Sequence, residues 1–159
     1  MIRGITMAEV GTYLNFARET EAAFLFYREV FGGEFEGAGI MRMGGGPMPE
    51  GTPPMSAEDA QLVMNVGLRI TGGHLLMGTD APDSFGFNLT MGNNVYVNVM
   101  PDTREEGDRL FGALSDGGTV ESPMADMFWG DYWGSCKDKF GAQWMINVTA
   151  APATESPAP

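Results

Sequence analysis

An internal repeat constrains this chain more than any other feature. Displaced by 83 residues, Tyr13-Leu14-Asn15-Phe16 falls on Tyr96-Val97-Asn98-Val99, Thr20 on Thr103, Tyr27 on Leu110 and Phe31 on Leu114. The double glycines Gly32-Gly33 and Gly117-Gly118 then align within two residues. Self-similarity at one fixed spacing marks a duplicated supersecondary unit.

The hydrophobic periods say what that unit is. Ala23, Phe26, Tyr27, Val30 and Phe31 recur at helical spacing, with Thr20 as the expected N-cap and Gly32-Gly33 as the stop. Thr103 to Gly117 repeats the design: Thr103 and Glu106 form a capping-box pattern, and Leu110, Ala113 and Leu114 supply the buried face. Leu62 to Ile70, Val95 to Val99 and Trp144 to Val148 alternate with a period of two and predict half-buried strands. The closing strand of the first unit comes from laying His74–Gly78 on Gln143–Asn147.

The order is strand, helix, three strands, twice. The expected fold is α+β: two βαβββ modules whose sheets form an incomplete barrel around a cleft, with helices outside. One domain over residues 1–150 is expected, with module one at about 10–80 and module two at about 90–149. Met43 to Ala57, with Gly44-Gly45-Gly46, Pro47, Pro49, Pro53 and Pro54, reads as a long loop. Asp80 to Gly86 reads as a linker, and residues 151–159 as a disordered tail.

Strand parity sorts the side chains. Leu14, Phe16, Val97 and Val99 should meet the helices, leaving Tyr13, Asn15, Asn94, Tyr96 and Asn98 to face the concavity. His74, Leu76 and Gly78 on one closing strand, and Gln143, Met145 and Asn147 on the other, are expected to point inward too. Such a mixture of aromatic, thioether and amide groups reads as a ligand site, or as a sealed polar network between sheets. Trp129 and Trp133 either close the core of module two, or a dimer seam, or wall a ligand between Asp126 and Asp131, where a cation would be at home. The candidate ligand-lining residues are Tyr13, Asn15, His74, Asn94, Tyr96 and Trp129.

Charge excludes some partners. Nine basic against 21 acidic residues leave a net charge of −12, which argues against nucleic acid and anionic membrane. The acidic surface aids solubility, or attracts a cationic small molecule. Thirteen methionines suit adaptable core filling. Cys136 is the only cysteine, so no disulfide framework is expected; Lys137 beside it could lower its pKa, though a structural thiol is the simpler role. No apolar run nears the ~20 residues of a membrane span, and the N-terminus lacks a signal-peptide core, so the cytoplasm is expected. His74, the only histidine, is the sole acid/base candidate, and its plainer role is a satisfied histidine at a sheet end.

Several segments together resemble a known family. They are Tyr13-Leu14-Asn15-Phe16, Glu21-Ala22-Ala23 with Phe26-Tyr27, Val30-Phe31-Gly32-Gly33, Leu76-Met77-Gly78-Thr79-Asp80, Glu105-Glu106 ahead of Leu110-Phe111, Met127-Phe128-Trp129-Gly130, Asp138-Lys139-Phe140-Gly141 and Trp144-Met145-Ile146-Asn147. Over about residues 10–149 the chain resembles the PhnB-like branch of the vicinal-oxygen-chelate (glyoxalase/bleomycin resistance/dioxygenase) superfamily. The resemblance implies a homodimer and, in the superfamily's enzymes, a divalent ion held by His, Glu or Gln from the first and last strand of each module. Those positions fall here on Gly11, Leu76, Asn94 and Met145, or on Thr12 and Met77 after a one-residue shift. They do not supply three or four hard donors, and a two-ligand His74–Gln143 site is the remaining placement. No metal and no cofactor are therefore expected. The implied function is metal-independent binding of a small molecule, for instance sequestration of a cationic compound. The alternatives are a metal-dependent lyase, isomerase or dioxygenase of the same superfamily, or an inert dimeric scaffold.

Overall fold

Each copy of the repeat builds a four-stranded sheet of its own. The computed structural model describes residues 8–151, in two units that divide between Thr90 and Met91. The first unit runs β1 (Thr12–Phe16), α1 (Thr20–Phe31), β2 (Met41–Arg42), a short α2 (Ala57–Ala60), β3 (Val63–Arg69) and β4 (Leu75–Asp80). Its strand order is β1-β4-β3-β2, with β1 parallel to β4 and the other pairs antiparallel. The second unit runs β5 (Val97–Val99), α3 (Arg104–Ser115), β6 (Thr119–Asp126), β7 (Tyr132–Lys137) and β8 (Gln143–Val148), in the order β5-β8-β7-β6. Its first and last strands are again parallel. The fold is thus α+β and βαβββ twice over, as the repeat predicts. The expected tail lies, except for Ala151, outside the described residues. Among those described, no helix is long and apolar enough to cross a membrane.

Packing of helix on sheet follows from residue size. In the first unit α1 buries Thr20, Ala23, Phe24, Tyr27 and Val30. Phe26, which the periodicity placed in that face, is only half-buried, and Phe24 takes its place. Phe24 fits because β4 carries Gly78 beneath it; a Cβ there would collide with the Phe24 ring. In the second unit the sizes are exchanged. Gly107 on α3 lies over Val148 and Ile146, and a Cβ at Gly107 would stand 2.8 Å from the Val148 methyl. Tyr132 of β7 ties that helix down by donating to Asp108 at 2.6 Å.

Two expectations need correction here. Thr20 is the first residue of α1 and not its cap; Glu19 holds the cap position and makes no side-chain cap bond. The buried Asp80 carboxylate does the work instead, accepting from Thr20 N at 3.1 Å and Val63 N at 2.7 Å. The α3 cap is as expected on one side only: Thr103 accepts from Glu106 N at 3.2 Å, but the Glu106 carboxylate turns to Arg109. The second correction concerns β4. Leu76, Gly78 and Asp80 are buried on the helix side, so Leu75, Met77 and Thr79 share the opposite face. On β8 the expectation holds: Trp144, Ile146 and Val148 are buried, and Gln143, Met145 and Asn147 face away from α3.

Gly78→Ala should destabilise the protein by about 1–3 kcal/mol through overpacking against Phe24. Phe24→Leu in the same chain should recover part of that loss, a non-additivity read by urea denaturation of the single and double variants. Asp80→Ala strands two buried N–H donors and should cost about 3 kcal/mol in the same assay.

Candidate functional site

With one face of each sheet closed by a helix, chemistry is left to the other. In the first unit that open face carries Tyr13 and Asn15 from β1, Asn65 from β3 and Met77 from β4. The Tyr13 hydroxyl accepts from Asn65 Nδ2 at 3.3 Å. Asn15 borders a small hollow of about 230 Å³ with Phe87, Asn88, Leu89 and Thr90. His74 does not join them. It precedes β4 in phase with Leu76 and Gly78, and its Nε2 lies 2.9 Å from the Thr12 hydroxyl. That is the satisfied histidine at a sheet end.

The second unit's open face is richer. Cross-strand register sets Asn98, Met145 and Ser135 in one row, and Gln143 opposite Lys137. Tyr96, just ahead of β5, reaches across the sheet and donates its hydroxyl to Glu121 Oε2 on β6 at 2.7 Å. That hydrogen bond, followed by burial and the Glu121 charge, raises the Tyr96 phenol above its usual range. Gln143 is 6 % exposed. Its Nε2 donates to Val95 O at 2.8 Å, while its Oε1 is buried and has no partner among the described residues. A buried acceptor left without a donor is uncommon and costs about 1–3 kcal/mol.

Trp129 sits elsewhere, and this corrects its reading as core of module two. It occupies the tip of the β6–β7 hairpin, where Gly130 adopts φ 106° and Met127 N donates to Asp131 O at 2.8 Å. Trp129 is 54 % exposed and packs edge-on against Phe128, itself 99 % exposed. Below the tip, Asp131 accepts from Ala150 N at 3.1 Å, from Asn147 Nδ2 at 3.1 Å and from the Trp129 indole, and these bonds hold its carboxyl below the usual range. Asn147 and Gln143 mark opposite ends of β8, roughly 13 Å apart at ~3.3 Å per residue. The structure therefore does not bring Trp129 to Tyr96. Asn94 is exposed, ahead of a β5 that begins only at Val97.

Glu121 escaped the sequence reading. It lies on an edge strand, exposed over most of its length, whose register is broken on both sides of Ser122. Only the far-separated Tyr96 reveals its role. Cys136 faces α3, fully buried. Burial, with the charges of Asp138 and Glu121, pushes its thiol up to about 12, so Lys137 does not activate it.

The donor set can be tested against the divalent ion of the superfamily's enzymes. Correcting the phase of β4 replaces Leu76 with Leu75 and Met77 on the open face, neither of them a hard ligand. Among the described residues, no three His, Cys, Asp or Glu side chains group so as to hold a metal ion. The open faces offer amides, hydroxyls and thioethers, with Glu121 already bonded to Tyr96. That set does not fit a divalent centre.

A duplicated βαβββ chain with two four-stranded sheets defines the class: a protein with the glyoxalase-like fold of the vicinal-oxygen-chelate superfamily, a fold shared by a glyoxalase/bleomycin resistance/dioxygenase family enzyme of Burkholderia phytofirmans PsJN. Within it the chain belongs to the PhnB-like family whose model is described as 3-demethylubiquinone-9 3-methyltransferase, matched over residues 8–147. It is 28 % identical to the protein YjdN of Escherichia coli strain K12 over 155 residues, covering 90 % of this chain and 97 % of that one. It resembles the crystal structure of protein PA1353 from Pseudomonas aeruginosa with a TM-score of 0.76 and 27 % identity, covering 91 % of this chain and 100 % of that one. A PhnB protein from Bacillus cereus, described with the same methyltransferase name, matches with a TM-score of 0.66 at 23 % identity, over 89 % of this chain and 100 % of that one. The methyl transfer in that description is a family label and gives no residue of this chain a role.

Replacing Glu121 by Gln should bring the Tyr96 phenol back down toward its ordinary value. Tyrosine-ring NMR across alkaline pH, compared with wild type, checks this; an unchanged Tyr96 midpoint would refute the pairing.

Proposed function

We propose that this chain binds a small organic cation on the open face of its second sheet, and does so without a resident metal. One observation carries the reading: the orphaned Gln143 Oε1, on the same face as the Glu121 carboxylate. The exposed Glu121 carboxylate calls for a ligand that brings N–H donors, and the buried Gln143 Oε1 is a second acceptor that such a ligand reaches only by displacing what covers it. The ring of Tyr96 gives such a cation a π face beside the Glu121 carboxylate. The net charge of −12 raises the local concentration of cations around the protein. Lys137, across from Gln143, opposes this, so the preference is set by Glu121 against Lys137. Binding would be stoichiometric, with no bond made or broken, which is the sequestration role the family resemblance suggests. The protein is further proposed to act in the cytoplasm as a homodimer; the nearly complete exposure of Phe128 supports a protein contact at that hairpin.

Fluorescence titration with ethidium, an aromatic cation, tests the charge logic. Glu121→Gln should weaken binding about tenfold, a change of about 1.4 kcal/mol, and Lys137→Gln should tighten it. Added salt should weaken wild-type binding. Opposite signs in the two variants, with preference for an anion such as anilinonaphthalene sulfonate, would overturn the cation. One tightly bound Zn, Ni or Fe per purified chain would favour a metal-dependent lyase, isomerase or dioxygenase. No stabilisation by any compound of a thermal-shift library would leave the scaffold.

A further inference from the structure

The loop between β2 and β3 is anchored at its start. Met43 N donates to Leu62 O at 2.8 Å, and Gly44 lies so close to Ala60 of α2 that a Cβ there would stand 2.7 Å from the Ala60 methyl. Between these anchors and the body of the first unit lies a cavity of about 560 Å³. Met43, Met48, Met55, Met64 and Phe85 line it, and Pro47, Pro53 and Pro54 stiffen its wall. The volume falls within the ~300–1,000 Å³ of ligand pockets.

The polar groups in the wall are engaged with one another. Arg18 donates to Asp59 Oδ1 at 2.8 Å and to Ser84 Oγ at 3.2 Å. Ser56 Oγ accepts from Asp59 N at 3.0 Å, and Thr52 Oγ1 donates to Pro49 O at 2.7 Å. Burial works to raise the Asp59 carboxyl, but bonds from Arg18 and Ser84 outweigh it and hold the group below its usual range. Asp59 therefore stays ionised against Arg18, which the exposed Glu58 also reaches at 3.5 Å, so the guanidinium is already paired twice. An anionic ligand would meet no free cation there, and any charge carried in among the methionines loses its water to an apolar wall that does not return that loss. Thioethers adapt to irregular shapes and make favourable contacts with ring edges.

We infer that this methionine-lined pocket is a second ligand site, for an uncharged aromatic small molecule. It is built wholly within the first unit, and its chemistry differs from that of the Glu121 face, so it goes beyond the function proposed above.

The test uses N-phenyl-1-naphthylamine, a neutral probe that fluoresces in apolar surroundings, titrated into the full chain. One saturable site, indifferent to salt, is expected. Gly46→Trp fills the hollow without backbone strain, since Gly46 has φ −111° and a Cβ there meets nothing within 4 Å. Met48→Glu places a charge in the lining. Each should weaken the probe at least about tenfold, with far-UV circular dichroism and the thermal midpoint showing that the fold persists; Met48→Leu should retain binding. Wild-type affinity in both disruptive variants, no saturable binding by wild type, or binding lost on adding salt would overturn the inference. So would probe release on raising protein concentration in step with self-association seen by sedimentation, which would make a second copy the occupant. Ethidium and the naphthylamine report separately, so this inference and the cation site can fail independently.

Discussion

The seam between helix and sheet is the contact on which the rest depends. In the first unit a large helix residue, Phe24, enters the space left by a strand glycine, Gly78. In the second, the helix supplies the glycine, Gly107, and the strand supplies Val148 and Ile146. Phe24 and Gly107 are 83 residues apart, so they occupy the same place in the repeat. The partners have exchanged sizes while the sum stays close-packed, as a protein interior requires. Each seam closes one face of its sheet and thereby decides which side chains remain open to a ligand.

Buried carboxylates then fix the ends of the elements. Asp80 takes N–H groups from the start of α1 and from β3. Asp138 takes Phe140 N, Ala142 N and the Trp144 indole, holding the turn into β8. A buried polar group is costly unless hydrogen-bonded, and these bonds make both side chains staples. With β8 held in this way, Gln143 comes opposite Lys137 and the Tyr96 hydroxyl can span to Glu121.

Much of this was legible in the chain. The repeat, both long helices and the facing of β1, β5 and β8 follow from period and spacing alone. Tyr13, Asn15 and Tyr96 lie on open faces as their parity requires. The slip came on β4. Laying His74–Gly78 on Gln143–Asn147 is one residue out of phase with the burial, which sets Leu76, Gly78 and Asp80 against Trp144, Ile146 and Val148. One residue reverses every side chain of a strand. The cause is chemical: the buried face of β4 carries a glycine under Phe24 and a hydrogen-bonded aspartate, so it does not look apolar. Trp129 misled for the converse reason, because large rings need not be inside.

By itself the sequence determined the duplicated βαβββ order, the α+β class and the resemblance to one branch of a superfamily, because periodicity and spacing are properties of the chain. Tertiary structure alone decided that Glu121 faces Tyr96, that Gln143 holds a buried oxygen without a donor, and that four methionines surround one hollow. Those facts depend on strand register and loop path, which bring together residues that lie far apart along the chain.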